Sequence, residues 1–187
     1  MTYQRKNLRA PIVTFLLFED EGYVHKAKLA NISKGGALIS QLPHFPSVNI
    51  VGTLLDIPQL PVVKTDDLEK LQETALLPKK RTIFRTRLRT VRRTTETSSV
   101  ADVFSKNIGS EFVDMPLQQD LLLAIDEYIA NYSYNLIFLL RLLDSNVIEG
   151  ERLEKIQILS EILGHEKGLK VPILGQKVIN DYKSLQW

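Results

Sequence analysis

The 187-residue chain has no cysteine, which excludes disulfides, thiolate metal sites, iron–sulfur clusters and thiol catalysis. It has only three histidines, His25, His44 and His165, and no H-x-x-x-H or H-E-x-x-H spacing for a metal. No Walker A or G-x-G-x-x-G phosphate loop is present, and the carboxylate pairs Asp66-Asp67 and Asp126-Glu127 read as solvated neighbours, so no catalytic constellation emerges. Long apolar runs are also missing. Leu136–Leu143 is interrupted by Arg141 and falls far short of the ~20 residues that span a bilayer. Residues 5–18 have the outline of a signal peptide, but Pro11 opens the apolar run and Glu19-Asp20-Glu21 closes it without a small-residue cleavage site. The expectation is a soluble, cytoplasmic protein without membrane insertion, without metal and without turnover.

What is present is balanced. Lys and Arg number 24 against 22 Asp and Glu, a net +2, and apolar and charged types make up 44% and 25%. Those fractions belong to a folded globular chain. The charge is unevenly spread: Lys79, Lys80, Arg81, Arg85, Arg87, Arg89, Arg92 and Arg93 form a run of eight cations with no acid between Glu73 and Glu96, leaving the remainder at −6.

The first part of the chain alternates with the period of strands. Strands are predicted over Ile12–Phe18, Tyr23–Asn31, Ala37–Leu42, Ile50–Ile57, Ile83–Arg93 and Asn107–Val113. A polar turn at 19–22, a tight turn at 33–36 and a mobile hairpin loop over 94–99 separate them. Short strands at this spacing point to an antiparallel barrel or sandwich, and residues 64–77 read as a polar insertion with helical character. After Asp114 the period changes. Leu121, Ile125, Tyr128, Tyr132, Leu136, Leu139 and Leu143 recur at three and four residues, one face of a long helix, with Asp114 as its cap and Pro116 in its first turn. Asn146 and Glu149 suggest a capping box for a second helix ending near Gly164, and a short helix is expected after Gly168. The chain divides into a β module, 1–115, and a helical module, 116–187.

Two motifs in the β module carry chemistry. Arg5-Lys6-Asn7-Leu8-Arg9 is an R-x-x-x-R whose arginines, in an extended arm, lie on one side ~13 Å apart at ~3.3 Å per residue. Paired guanidiniums suit phosphate or the O6/N7 edge of guanine; a solvated basic terminus is the alternative. Asn31-Ile32-Ser33-Lys34-Gly35-Gly36 is an N-x-S-x-x-G at a strand end, with Asn31 and Ser33 on one side and Ile32 in the core. Amide and hydroxyl offer donors and acceptors, and Gly35 and Gly36 permit positive φ or close backbone approach; an ordinary Asx/Ser turn is the alternative.

Together, in this order and with Val51-Gly52, the long Arg85–Arg93 strand and the closing Ile108-Gly109-Ser110-Glu111-Phe112-Val113 segment, these residues resemble the PilZ domain, the bacterial receptor module for cyclic di-GMP, over about residues 4–130. The resemblance implies a six-stranded antiparallel β-barrel followed by a helical C-terminal module. It implies cyclic di-GMP held by Arg5, Arg9, Asn31, Ser33 and Gly36, with Gln4, Lys6 and Gly35 as secondary contacts. Asn31 stands where the family often has Asp, and the insertion at 64–77 and the long 94–106 loop depart from its pattern. Ligand binding would order the arm and signal to a partner. The stripe on helices 117–163 is either an internal packing face or a surface for a protein partner or self-association. The arginine strand 85–93 is either a solvated outer face or a nucleic-acid surface.

Overall fold

The computed structural model describes residues 7–63, 67–77, 80–97, 104–114, 117–145 and 148–186. Six strands, β1 (Ala10–Asp20), β2 (Tyr23–Ser33), β3 (Gly36–Leu42), β4 (Ile50–Pro58), β5 (Arg81–Thr97) and β6 (Phe104–Val113), close into an antiparallel barrel in the order β1-β2-β3-β6-β5-β4. The described residues also form four helices: α1 (Leu68–Leu76), α2 (Gln119–Leu143), α3 (Gly150–Ile162) and α4 (Val171–Gln186). The six-stranded barrel with C-terminal helices is the fold the resemblance implies, although helices take up nearly as many residues as strands.

Alternation explains the barrel. On β1, Ile12, Thr14, Leu16 and Phe18 are buried and Val13, Phe15 and Leu17 exposed, so one face fills the interior. Leu29, Leu55, Leu88 and Ile108 add the same inner layer from β2, β4, β5 and β6, each fully buried side chain contributing ~1.5–3 kcal/mol of transfer free energy. The β1–β2 turn is Glu21-Gly22, both at positive φ (52° and 78°). That is the type I′ geometry whose twist matches the strands.

Compact units divide the chain differently from a cut at residue 115. One comprises Pro11–Pro58 and Arg81–Asp126; the other takes in Gln59–Lys80, Glu127–Trp187 and the segment ending at Ala10. The insertion therefore belongs with helices. Asn131 Nδ2 donates to the Leu60 carbonyl (2.9 Å), Asn135 Nδ2 donates to the Pro61 carbonyl (2.8 Å), and Asn135 Oδ1 accepts from the Val63 N–H (3.0 Å). Asn135 is fully buried, so these bonds satisfy backbone groups that would otherwise be orphaned. Asp67, read as a solvated acid, is the N-cap of α1: its Oδ1 accepts from the N–H groups of Glu69 (3.0 Å) and Lys70 (3.3 Å).

Other local expectations change. β5 continues through Thr97, pairing with Phe104, so residues 94–97 are strand rather than loop. Asp114 does not cap α2; it sits at φ 60°, and its carboxylate accepts from Arg87. Asn146 and Pro116 lie outside the described residues, and Glu149, the N-cap of α3, makes no side-chain cap bond. Instead Arg152 donates to the Leu142 (2.8 Å) and Arg141 (3.2 Å) carbonyls at the end of α2. The helix after Gly168 is 16 residues long, not short, with Pro172 tolerated in its first turn. α3 ends at Ile162, near Gly164 as expected, and the Gly164 φ of 86° lets His165 N–H reach the Ser160 carbonyl (2.9 Å).

Candidate functional site

The N-x-S-x-x-G motif is a β2–β3 hairpin. Ser33 pairs with Gly36 across the two-residue turn Lys34-Gly35, then Ile32 with Ala37 and Asn31 with Leu38. A β-bulge between Leu29 and Asn31 shifts the register. Its extra residue is why burial runs Ala27, Leu29, Ile32 rather than keeping odd parity. The bulge puts Ile32 in the core and leaves Asn31 half-buried at the strand end.

Each motif residue has a definite environment. Ser33 is 2% exposed, and its hydroxyl donates to the Gly36 carbonyl (3.1 Å), closing the turn. The lone pairs on the same oxygen are left to accept from another group. Neither Gly35 nor Gly36 has positive φ, so conformational freedom is not what these glycines supply. At Gly36 the reason is space: a Cβ would lie 1.9 Å from the Ser110 carbonyl oxygen and 2.8 Å from Glu111 Cα. The close β3–β6 approach, Gly36 opposite Glu111, depends on its absence. The Gly35 carbonyl accepts from the Phe112 N–H (3.2 Å), and Lys34 pairs with Asp126 (2.8 Å), so the turn is anchored from both sides. Neither anchor was visible in the sequence; Ser110, in the Ile108–Val113 segment, was the nearest signal.

Asn31 is different. Its Oδ1 is buried and accepts no hydrogen bond among the described residues; of six such buried atoms it is the one on the motif. An unmet buried acceptor costs ~1–3 kcal/mol, and a donor arriving there recovers it. Arg9 lies half-buried immediately before β1 and is engaged. Arg5, Gln4 and Lys6 lie outside the described residues. The structure thus brings Asn31, Ser33, Gly35 and Gly36 together on one hairpin.

The chain resembles several solved structures. One is the PilZ domain, with c-di-GMP, of YcgR from Escherichia coli, at 9% identity and TM-score 0.39, covering 66% of this chain and 92% of that one. Another is the Bacillus subtilis inhibitor of motility MotI/DgrA, at 14% identity and TM-score 0.40, covering 68% and 53%. A third is the K. pneumonia MrkH–c-di-GMP complex, at 12% identity and TM-score 0.40, covering 65% and 51%. The chain spans about half the length of the last two. No protein-family model matches the sequence, and no curated protein matches it.

Among the described residues, three of the six arginines on β5 are ion-paired. Arg85, Arg87 and Arg89 are exposed, opposite buried Thr86 and Leu88. Arg81 pairs with Asp56 (2.5 Å), Arg87 with Asp114 and Arg89 with Glu111 (2.7 Å). A bulge between Thr90 and Arg92 then turns the strand, and Arg93 donates to the Pro46 carbonyl (3.1 Å) beside the Phe45 ring. The strand therefore forms a ladder of ion pairs with partners far away in sequence, rather than a bare cationic stripe.

The α2 stripe is likewise consumed. Leu121, Ile125, Tyr128, Tyr132, Leu136 and Leu139 are at most 4% exposed. They pack inside this chain, while Leu143, at the end of the stripe, is half-buried. Among the described residues, no helix is long and apolar enough to cross a membrane.

One polar cluster escaped the sequence reading. Asp20, 2% exposed, accepts from the Ser47 hydroxyl (2.6 Å), the Ser47 N–H (3.1 Å) and His44 Nε2 (2.9 Å). The Ser47 hydroxyl foremost, with His44, holds the Asp20 carboxyl below the usual carboxylate range against the opposing effect of burial. The cluster ties the β3–β4 loop to the end of β1, at the opposite end of the barrel from the Lys34-Gly35 turn.

Proposed function

We propose that this chain is a PilZ-type receptor for cyclic di-GMP. The nucleotide is held by Arg5 and Arg9 of the arm and by Asn31, Ser33 and Gly36 of the β2–β3 hairpin, with Gln4, Lys6 and Gly35 in supporting contact. The observation that carries this reading is the unmet Asn31 Oδ1 on the very hairpin whose sequence resembles the family's nucleotide motif. A guanine N–H or an arginine guanidinium supplies the missing donor. Ser33 Oγ, already donating within the turn, accepts from the ligand. Gly36 acts by letting β3 lie close against β6, which sets the height of the turn.

The ligand's two phosphates draw both arginines toward one molecule, ordering the arm and changing the surface shown to a protein partner. No covalent step is involved, so the chain acts as a receptor and not as an enzyme.

Ligand-induced stabilisation tests this. Binding to the folded state alone raises stability by ~2.7 kcal/mol at a ligand concentration 100 times Kd, which for a chain of this size raises Tm by about 5–10 °C. Cyclic di-GMP should produce such a shift in thermal unfolding, and GTP should not. A Tm unmoved by millimolar cyclic di-GMP would overturn the proposal.

A further inference from the structure

The outer wall of the barrel carries an apolar stripe that the nucleotide reading does not use. On β1, Val13, Phe15 and Leu17 are 58%, 50% and 39% exposed; on β4, Leu54 is 42% exposed; on β5, Ile83 is 68% exposed. Register makes them neighbours: Leu17 pairs with Leu54, which pairs in turn with Arg85, and Asp56 pairs with Ile83. Single exposed apolar residues are ordinary, but a contiguous group on one face marks an interaction surface.

Charge identifies what covers it. Within the stripe Arg81 is neutralised by Asp56, which pairs with Ile83; further round the wall the cations are neutralised too, Arg87 by Asp114 and Arg89 by Glu111. Beside the stripe they are not. Lys28 and Arg85 have no ion-pair partner among the described residues, and the Lys26 ammonium sits 3.8 Å from the centre of the Phe15 ring. Lys26 and Lys28 alternate with buried Ala27 and Leu29, so both belong to the outer face. Glu19, exposed at the end of the same β1 face, is outnumbered by Lys26, Lys28 and Arg85, so the occupant is apolar at its centre and mainly anionic at its margins.

The barrel geometry narrows this further. A closed barrel has no free edge, so a peptide strand cannot add to it. Its wall is convex and offers no groove for a helix. A second copy docking by the same face would set like charges against each other. We propose that this face, centred on Phe15, Leu17 and Leu54 and flanked by Lys26, Lys28 and Arg85, docks peripherally on an anionic bilayer. The apolar side chains enter the headgroup–acyl boundary, and the cations meet the charged surface around them. The inference stands independently of the nucleotide site.

Co-sedimentation of the full chain with phosphatidylglycerol-rich vesicles, against pure phosphatidylcholine vesicles, tests it. The wild type should partition at least about tenfold more strongly to the anionic vesicles and lose that preference as salt rises. Phe15→Asp should weaken anionic-vesicle binding about tenfold or more, as expected for losing one buried aromatic side chain. Leu123→Ser, at an exposed apolar site on α2, should change nothing. If Phe15→Asp fails to fold, the double variant Lys26→Glu/Arg85→Glu carries the same expectation. Failure to pellet, equal pelleting with both vesicle types, or Phe15→Asp pelleting like wild type would overturn the proposal. So would an absence of vesicle binding combined with Phe15-dependent self-association.

Discussion

At the residue scale, a few side chains hold the barrel in its working form, and Asp20 is the plainest of them. Its carboxylate gathers two donors from Ser47 and one from His44. A carboxyl whose folded pKa is lowered, as here, stabilises the fold at pH values above its unfolded pKa of ~3.9 and loses that stabilisation as pH falls through the folded value. Asp20→Asn should therefore lower Tm at neutral pH and flatten the acid-side fall seen in the wild type. Thermal unfolding followed from pH 7 to pH 3 reads both effects. An identical pH dependence in the two proteins would show that Asp20 does not anchor the loop. Asn31 is the complementary case, a buried acceptor without a donor among the described residues. Gly36 is the third: of the two roles the sequence allowed it, positive φ and close backbone approach, the barrel uses the second, beside Ser110.

At the element scale, the helices are joined by polar contacts that periodicity does not reveal. Tyr132, fully buried on α2, donates its hydroxyl to Asp181 on α4 (2.8 Å). Burial pushes the Asp181 carboxyl above the usual carboxylate range and the nearby His165 below its ordinary value. Removing the donor leaves a carboxylate poorly solvated, so Tyr132→Phe should destabilise the fold by about 2 kcal/mol, the usual range for a bond to a charged acceptor. Urea unfolding would measure it, and a change within error would contradict the role assigned to that bond.

The same scale shows what could be read in advance. All six strands were legible, Ile12–Phe18 as an apolar run and Tyr23–Asn31 and Ile83–Arg93 by alternation; that Val13, Phe15 and Leu17 face outward was not, because both faces of β1 are apolar. The α2 stripe was legible by its period of about 3.6. Strand ends were not: β5 runs to Thr97 because Thr94–Thr97 find partners on β6, a pairing between distant residues. The placement of 59–63 was also hidden. Asn131 and Asn135 look like ordinary polar helix positions until their amides meet the Leu60, Pro61 and Val63 backbones. Of the candidate site, the hairpin could be read because its residues are contiguous. The bulge that aims it could be inferred only from the change of parity between Leu29 and Ile32.

At the scale of the whole molecule, the barrel is one compact unit, and helices α1, α3 and α4 with most of α2 form another. A receptor needs a ligand site on rigid elements and a segment whose state the ligand changes. The hairpin, tied to β6 through Gly35 and to α2 through Lys34, is the rigid part, and the R-x-x-x-R arm leading into β1 is the responsive part of the proposed mechanism. The most direct test is calorimetric titration of cyclic di-GMP into the wild type, Arg9→Ala and Asn31→Ala, with GTP as the control ligand. The account predicts micromolar or tighter binding to the wild type, at least about tenfold weaker binding to each variant through loss of charge-assisted or buried bonds, and no heat from GTP. A folded wild type that takes up no cyclic di-GMP, or variants that bind it as well as the wild type does, would contradict it.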